Sequence, residues 1–238
     1  MKLHRFIANV ALRAGTIVIP EPELAHQLRD VLRLQPGDEI ILGDGRGNEA
    51  ICRVVSYEQD SVRLTVNEVT ENTLEPYVDV YLYLSVLKKE NLELVAQKAT
   101  EVGVKVIIPV ISARTVKFDV RSESMVRIVR EAAEQSGRAL VPTFHEPMEL
   151  STALEHAKGN DLNIFFDPGG ALFDIHATIP KTAQRIGVFI GPEGGWESGE
   201  VELARQHGCI ITSLGKLILR AETAAVVAAY LAAQGQSQ

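Results

Sequence analysis

The sequence predicts an α/β protein: a parallel sheet covered by helices on both faces, preceded by a small β-barrel. Three observations carry this. The first 70 or so residues are short β-branched runs punctuated by Gly15, Pro36-Gly37 and the glycine-rich stretch G-D-G-R-G at 43–47. After Tyr77, strand-like and helix-like segments alternate, the pattern of a parallel sheet. Two glycine turns, I-G-P-E-G-G-W at 190–196 and L-G-K-L-I-L-R at 214–220, each follow a strand-like run. Open α/β sheets bind ligands at such strand ends.

In the barrel, T-I-V-I, E-I-I-L, A-I-C-R-V-V and S-V-R-L-T-V are apolar or alternating runs suited to strands. One helix is expected near Pro22 to Leu32. Val69 to Tyr77 is polar, ends in proline and reads as a linker. Val78 to Val86 then alternates as a strand. Glu90 to Val102 sets Leu92, Val95, Ala99 and Val102 on one helical stripe, stopped by Gly103. Val104 to Ile111 is the next strand. Ser122 to Gly137 is a helix with Arg127–Glu131 and Arg130–Glu134 spaced four apart. Leu162 to Phe166, Ile186 to Ile190 and Cys209 to Thr212 are short strands. Ser198 is the expected cap of a helix that ends at Gly208. Glu222 to Ala233 closes the chain as a helix that is apolar all round over A-A-V-V-A-A-Y-L-A-A, which predicts burial on several sides or a subunit interface.

The chain has 238 residues, 46% hydrophobic and 23% charged, which is enough for one large domain or two modest ones. No apolar run approaches the length of a membrane span, and no signal peptide is expected from M-K-L-H-R-F-I-A-N-V. Cys52 and Cys209 stand alone and read as buried thiols of a reducing, cytoplasmic protein. The six histidines show no ligand spacing, so no metal is expected. A net charge of −7 argues against non-specific coating of nucleic acid. Residues 1–33 still hold Lys2, Arg5, Arg13, Arg29 and Arg33 against Glu21, Glu23 and Asp30, a local excess of +2.

In I-G-P-E-G-G-W, Gly191, Gly194 and Gly195 permit positive φ and close backbone approach, while Pro192 stiffens the turn. The pattern is neither a dinucleotide fingerprint nor a P-loop, and Glu193 repels phosphate. A neutral or cationic ligand held by backbone groups fits better; the bland alternative is a tight strand–helix turn. In L-G-K-L-I-L-R-A-E-T-A-A, Leu217, Ile218 and Leu219 are apolar where a loop is usually polar, which predicts that a ligand's apolar moiety or a neighbouring element covers them. Arg220 is awkward at a helix N-terminus unless it has a partner, whereas Glu222 and Thr223 suit one. E-A-A-E-Q-S-G-R at 131–138, with Gln135 and Arg138, and S-A-R-T-V-K at 112–117 are two further polar clusters.

Together these motifs resemble the SPOUT-class family of ribosomal RNA methyltransferases that modify uridine N3 in the small-subunit rRNA. The resemblance also rests on H-R-F at 4–6, His26 with Val31 to Arg33, P-G-D with D-G-R-G at 36–47, and Q-K-A-T-E-V-G-V at 97–104, so it covers the whole chain. It implies a PUA-like β-barrel over residues 1–72 that binds RNA, and an α/β domain over 73–238 with a deep trefoil knot. It implies S-adenosylmethionine as methyl donor, held by Phe166, by Ile190, Gly191, Pro192, Glu193, Gly194 and Gly195, and by Leu214, Gly215, Leu217 and Leu219. It also implies a homodimer and 16S rRNA within the small ribosomal subunit as partner. Two positions depart from the family pattern: Leu217 stands where arginine is usual, and Ala113 where glutamate is.

Uracil N3 carries a proton that must leave, and the charge left behind spreads over the ring oxygens. A positioned guanidinium stabilises such charge, and Arg220, Arg138 and Arg114 are the candidates. Arg5, Arg13, Arg29 and Arg33 are the candidate phosphate contacts. The competing expectations are a related ribose 2′-O-methyltransferase and a non-catalytic RNA-binding assembly factor.

Overall fold

The computed structural model describes residues 3–115, 120 and 122–235. They fall into two compact units: Met1–Glu75 with Ala133–Val141, and Pro76–Ala132 with Pro142–Gln238.

The first unit is a five-stranded sheet built from β1 (Arg5–Ile7), β2 (Gly15–Ile19), β3 (Glu39–Gly43), β4 (Asn48–Tyr57) and β5 (Val62–Glu71), in the order β1-β3-β4-β5-β2. All pairs are antiparallel except β1 with β3. Every strand sends alternate residues into one core, among them Phe6, Ile19, Leu42, Val54 and Leu64, so the sheet coils about a single interior. The predicted helix is α1 (Pro22–His26), continued by a π-helical turn over Gln27–Val31. Leu24, Ala25 and Leu28 bury its inner face. Two features differ from expectation. The three-residue strand β1 is too short to show a period, and it forms by pairing with β3. The expected linker is strand as far as Glu71, because its residues continue the β4 pairing. Asn72 beyond it is buried, donating to Glu49 Oε2 and, at 3.1 Å, to Gly137 O.

The second unit comprises β6 (Asp79–Ser85), α2 (Lys89–Glu101), β7 (Val106–Ile111), α3 (Ser122–Ser136), the two-residue strands β8 (Thr143–Phe144) and β9 (Met148–Glu149), α4 (Leu150–His156), β10 (Leu162–Leu172), α5 (Ile175–Thr178), β11 (Arg185–Ile190), α6 (Ser198–Gln206), β12 (Ile210–Ser213) and α7 (Ala221–Ala233). The last turn of α3 groups with the first unit. The sheet order is β12-β10-β11-β6-β7-β8, with β9 also on β7, and every pair is parallel. Tyr83, Val106, Ile108 and Val110 pack with Leu150, Ala153 and Leu154 of α4 and Ala204 of α6 on one face. Val80, Leu82 and Leu84 alternate with Tyr83 and so point to the other face. There α7 packs on β6 and β11 and against α2.

Three expectations are corrected here. Glu197, not Ser198, caps α6: its carboxylate takes the Glu200 N–H while the Glu200 carboxylate takes the Glu197 N–H at 2.8 Å. Strand β10 does not stop at Phe166. It shifts register and continues beside β12, with Ala171 opposite Thr212. Within one protomer helix α7 is buried along one side, through Ala221, Ala225, Ala228, Ala229, Ala232 and Ala233, while Val227 and Tyr230 are exposed, so a central core position is corrected and the alternative of a subunit interface stands. Helix α4 escaped the sequence reading because its buried residues, Leu150, Ala153 and Leu154, span little more than one turn.

Candidate functional site

A cavity of about 640 Å³ lies at the carboxyl ends of β11 and β12, beside the middle of β10. Its wall includes every residue drawn from the two glycine motifs: Ile190, Gly191, Pro192, Glu193, Gly194 and Gly195 from the first, and Leu214, Gly215, Leu217 and Leu219 from the second, together with Phe166. Lys88, Asn91, Asp167, Trp196, Arg220 and Glu222 complete much of the rim; of these, sequence reasoning missed Lys88, Asn91 and Asp167 as wall residues. Neither Lys88 nor Asn91 stands out by spacing; the β6–α2 turn brings them to the glycine loop, where Lys88 N and Asn91 Nδ2 donate to Glu193 Oε1 at 3.5 and 3.3 Å.

The only tryptophan in the chain, Trp196, is one of these lining residues. It is 7% exposed, stacks near Phe165 with centroids 4.4 Å apart, and donates from Nε1 to Phe166 O at 3.1 Å. Gly191 lies against this ring, and a β-carbon there would stand 3.0 Å from the indole. Of the three glycines in this loop only Gly195 uses positive φ, at 70°. Of the two reasons expected for these glycines, positive φ applies to Gly195, whereas Gly191 and Gly194 matter through their missing side chains.

In the second loop no neighbouring element among the described residues supplies the expected cover, which leaves a ligand's apolar part to do so. Leu217 and Ile218 are 82% and 89% exposed, so among the described residues nothing covers them. The cavity mouth is therefore rimmed with apolar side chains and carboxylates, a lining that suits a ligand with an apolar part and a positive centre.

The predicted arginines part company. Arg220 lines the cavity, is 87% exposed, and sits 3.9 Å from Glu222 Oε1, the partner that offsets its place at the head of α7. Arg114 crosses to the glycine loop, where Nη1 donates to Gly194 O at 2.8 Å and Nε lies 3.6 Å from Glu197. Arg138 is buried in the first unit, paired with Glu75 at 2.7–3.1 Å. Arg5 is not a surface cation either, because it is largely buried against Glu49. Arg29 binds its neighbour Asp30, whose carboxyl is held down at about 2 by that bond and by His26. Arg13 and Arg33 are exposed. In the 112–117 cluster, Ser112, Ala113, Arg114 and Thr115 are described, and Val116 and Lys117 lie outside the described residues.

The two thiols are buried, which pushes Cys52 up to about 11 and Cys209 up to about 12. Among the described residues no group of three or more histidines, cysteines or carboxylates is placed to hold a metal, and no helix is long and apolar enough to cross a membrane.

A parallel α/β sheet with a glycine-walled cavity at its carboxyl edge, in a chain that also forms a small coiled β-sheet, defines the architecture of a SPOUT-class methyltransferase with a PUA-like domain. The profile for the RNA methyltransferase domain matches residues 73–233, and that for the RNA methyltransferase PUA domain residues 21–67. A ribosomal RNA small subunit methyltransferase E of Bacillus subtilis is 32% identical over 219 residues, 87% of this chain and 85% of the relative. The enzyme of that name from Neisseria gonorrhoeae, solved with S-adenosyl methionine, superposes with a TM-score of 0.86 at 29% identity, covering 98% of this chain and 97% of that one. A Legionella pneumophila methyltransferase solved with the same cofactor gives 0.88 at 27% identity, covering 98% and 97%. The chain belongs to the RNA methyltransferase family, among the ribosomal RNA small subunit methyltransferases E.

Proposed function

We propose that this protein transfers a methyl group from S-adenosylmethionine to N3 of a specific uridine in 16S rRNA, on the assembled small ribosomal subunit in the cytoplasm. One observation carries the donor site: two motifs separated in sequence line one cavity. The residues fit the donor. Ile190, Leu214, Leu217 and Leu219 offer apolar contact to an adenosine, Gly191 and Gly194 let backbone approach it, and Glu193, Asp167 and Glu222 suit a cation.

Bound there, the donor supplies a methyl group on a sulfonium, whose departure leaves a neutral thioether and needs no acid. The chain must therefore align the acceptor and manage its charge. Arg220 is the first candidate to face the negative charge that develops on the uracil oxygens, because it lines the cavity itself. Arg114 and Arg138 complete the candidate set, each engaged by Gly194 or Glu75. A paired uracil hides N3, so the base must be unpaired or extruded. Arg13 and Arg33, with Arg29, are the proposed phosphate contacts of the barrel; Arg5 would have to leave Glu49 to join them. The knot and the homodimer belong to the same reading, and the exposed Val227 and Tyr230 of α7 support an interface there.

Labelled S-adenosylmethionine with unmodified small subunits, followed by nucleoside analysis, tests this. Label in 3-methyluridine is the expected result. Label in a 2′-O-methyl nucleoside overturns the acceptor chemistry, and no label without donor binding overturns the reading. Arg220→Ala should lower turnover by about 10²-fold with donor affinity little changed.

A further inference from the structure

We propose that Glu200, which no motif singled out, is a positioning residue for the donor cavity: its carboxylate clamps the turn after β7 onto the glycine loop. The proposal rests on reading that cavity as the donor site. Glu200 Oε1 accepts the N–H of Ala113 at 2.8 Å, and Oε2 accepts the N–H of Glu197 at 2.8 Å. Both bonds are charge-assisted and point at backbone, so they hold main chain rather than a mobile side chain. Glu197 takes the N–H of Glu200 in return and stands 3.6 Å from Arg114 Nε. Arg114 reaches on to Gly194 O at 2.8 Å and lays its alkyl stem against the bare α-carbon of that glycine. The result is a closed ring, Ala113–Glu200–Glu197–Arg114–Gly194, joining the end of β7, the head of α6 and the cavity wall.

The ring accounts for two details. Ala113 participates through its backbone N–H, so the side chain at that position is free to be small. The two carboxylates also lie at the N-terminus of α6, where the helix favours negative charge even though they are close together. The ring is closed by hydrogen bonds to backbone and by the Glu197–Arg114 side-chain pair, so opening it at Glu200 or at Arg114 releases the same loop.

Calorimetric titration of S-adenosylmethionine into the full chain and into Glu200→Ala, Glu200→Gln, Arg114→Ala and the Glu200→Ala/Arg114→Ala double variant tests this, with melting temperatures taken alongside. Glu200→Ala should weaken donor binding about tenfold, the size of one lost charge-assisted bond. Glu200→Gln keeps one acceptor oxygen and should recover part of that loss. The double variant should bind no worse than the weaker single variant, because both open the same ring. A lower melting temperature with unchanged donor affinity reduces Glu200 to a helix cap and overturns the proposal. So does a double variant whose loss is the product of the two singles. Failure of the unsubstituted chain to bind the donor overturns the reading of the cavity as well, which separates the two failures.

Discussion

Gly191 and Trp196 show how much one missing side chain decides at this site. The glycine allows the loop to close onto the indole, and an alanine β-carbon would stand 3.0 Å from two of its atoms. The indole cannot retreat, since it is held by Phe166 O and packed on Phe165. Gly191→Ala should therefore push the loop into the cavity and weaken donor binding about tenfold or more, with a smaller effect on overall stability. Trp196, as the sole tryptophan, provides the readout: its emission should respond to the donor, and a titration of the variant that matches the unsubstituted chain would refute the clash. At the same scale, identical residue types take opposite roles. Arg138 and Arg5 are buried ion-pair members, whereas Arg220 stands in solvent at the cavity. The sequence shows the guanidinium in each case, and only the packing shows its partner.

Among the elements, helix α4 places a histidine where acid can act on stability. His156 ends α4, and its Nδ1 shares a 2.8 Å hydrogen bond with the hydroxyl of Tyr83 on β6. Asn160 donates to the same hydroxyl at 3.3 Å, which leaves the Tyr83 proton for a neutral His156. Burial, then His145 and Arg185, lower the imidazole below its ordinary value of 6.5. A group depressed on folding stabilises the native state above its unfolded value, and that contribution is lost as pH falls through the folded one. Melting temperature should accordingly fall on acidification below about pH 6.5, and His156→Gln should flatten that decline. An identical acid limb in the variant would assign the loss to other groups.

At the scale of the whole molecule, the proposed function assigns chemistry to the second unit and RNA contact to the first, and that assignment makes a prediction about salt dependence. The net charge is −7, so attraction to RNA must come from local cations. Arg13 and Arg33 are exposed, while Arg5 and Arg29 already hold carboxylates. Arg13→Ala and Arg33→Ala should each lower the slope of log affinity for small subunits against log salt by about one, and Arg5→Ala by less. Binding of the donor should not respond to these substitutions. An unchanged slope for Arg13→Ala and Arg33→Ala would remove them from the RNA contact.

Much of this was legible in the chain, for identifiable reasons. Long periodic segments such as α2 and β6 declare themselves because burial on one face repeats at the period of the element. The glycine motifs point to a cavity at strand ends because glycine leaves room for close approach there, at Gly191 and Gly194, and permits the positive φ of Gly195 and Gly215. Short elements do not: β1, β8 and β9 are made by their partners in the sheet, and a two- or three-residue strand carries no period of its own. Nor could spacing alone show that Glu197 rather than Ser198 begins α6, that Val227 and Tyr230 remain exposed on an apolar helix, or that Glu200 reaches Ala113 across 87 residues of chain. The sequence by itself determined the class of fold, the two cavity loops and the family. Tertiary structure decided which charges are free and which are tied, because an ion pair depends on where two distant segments meet, and sequence separation does not measure that distance.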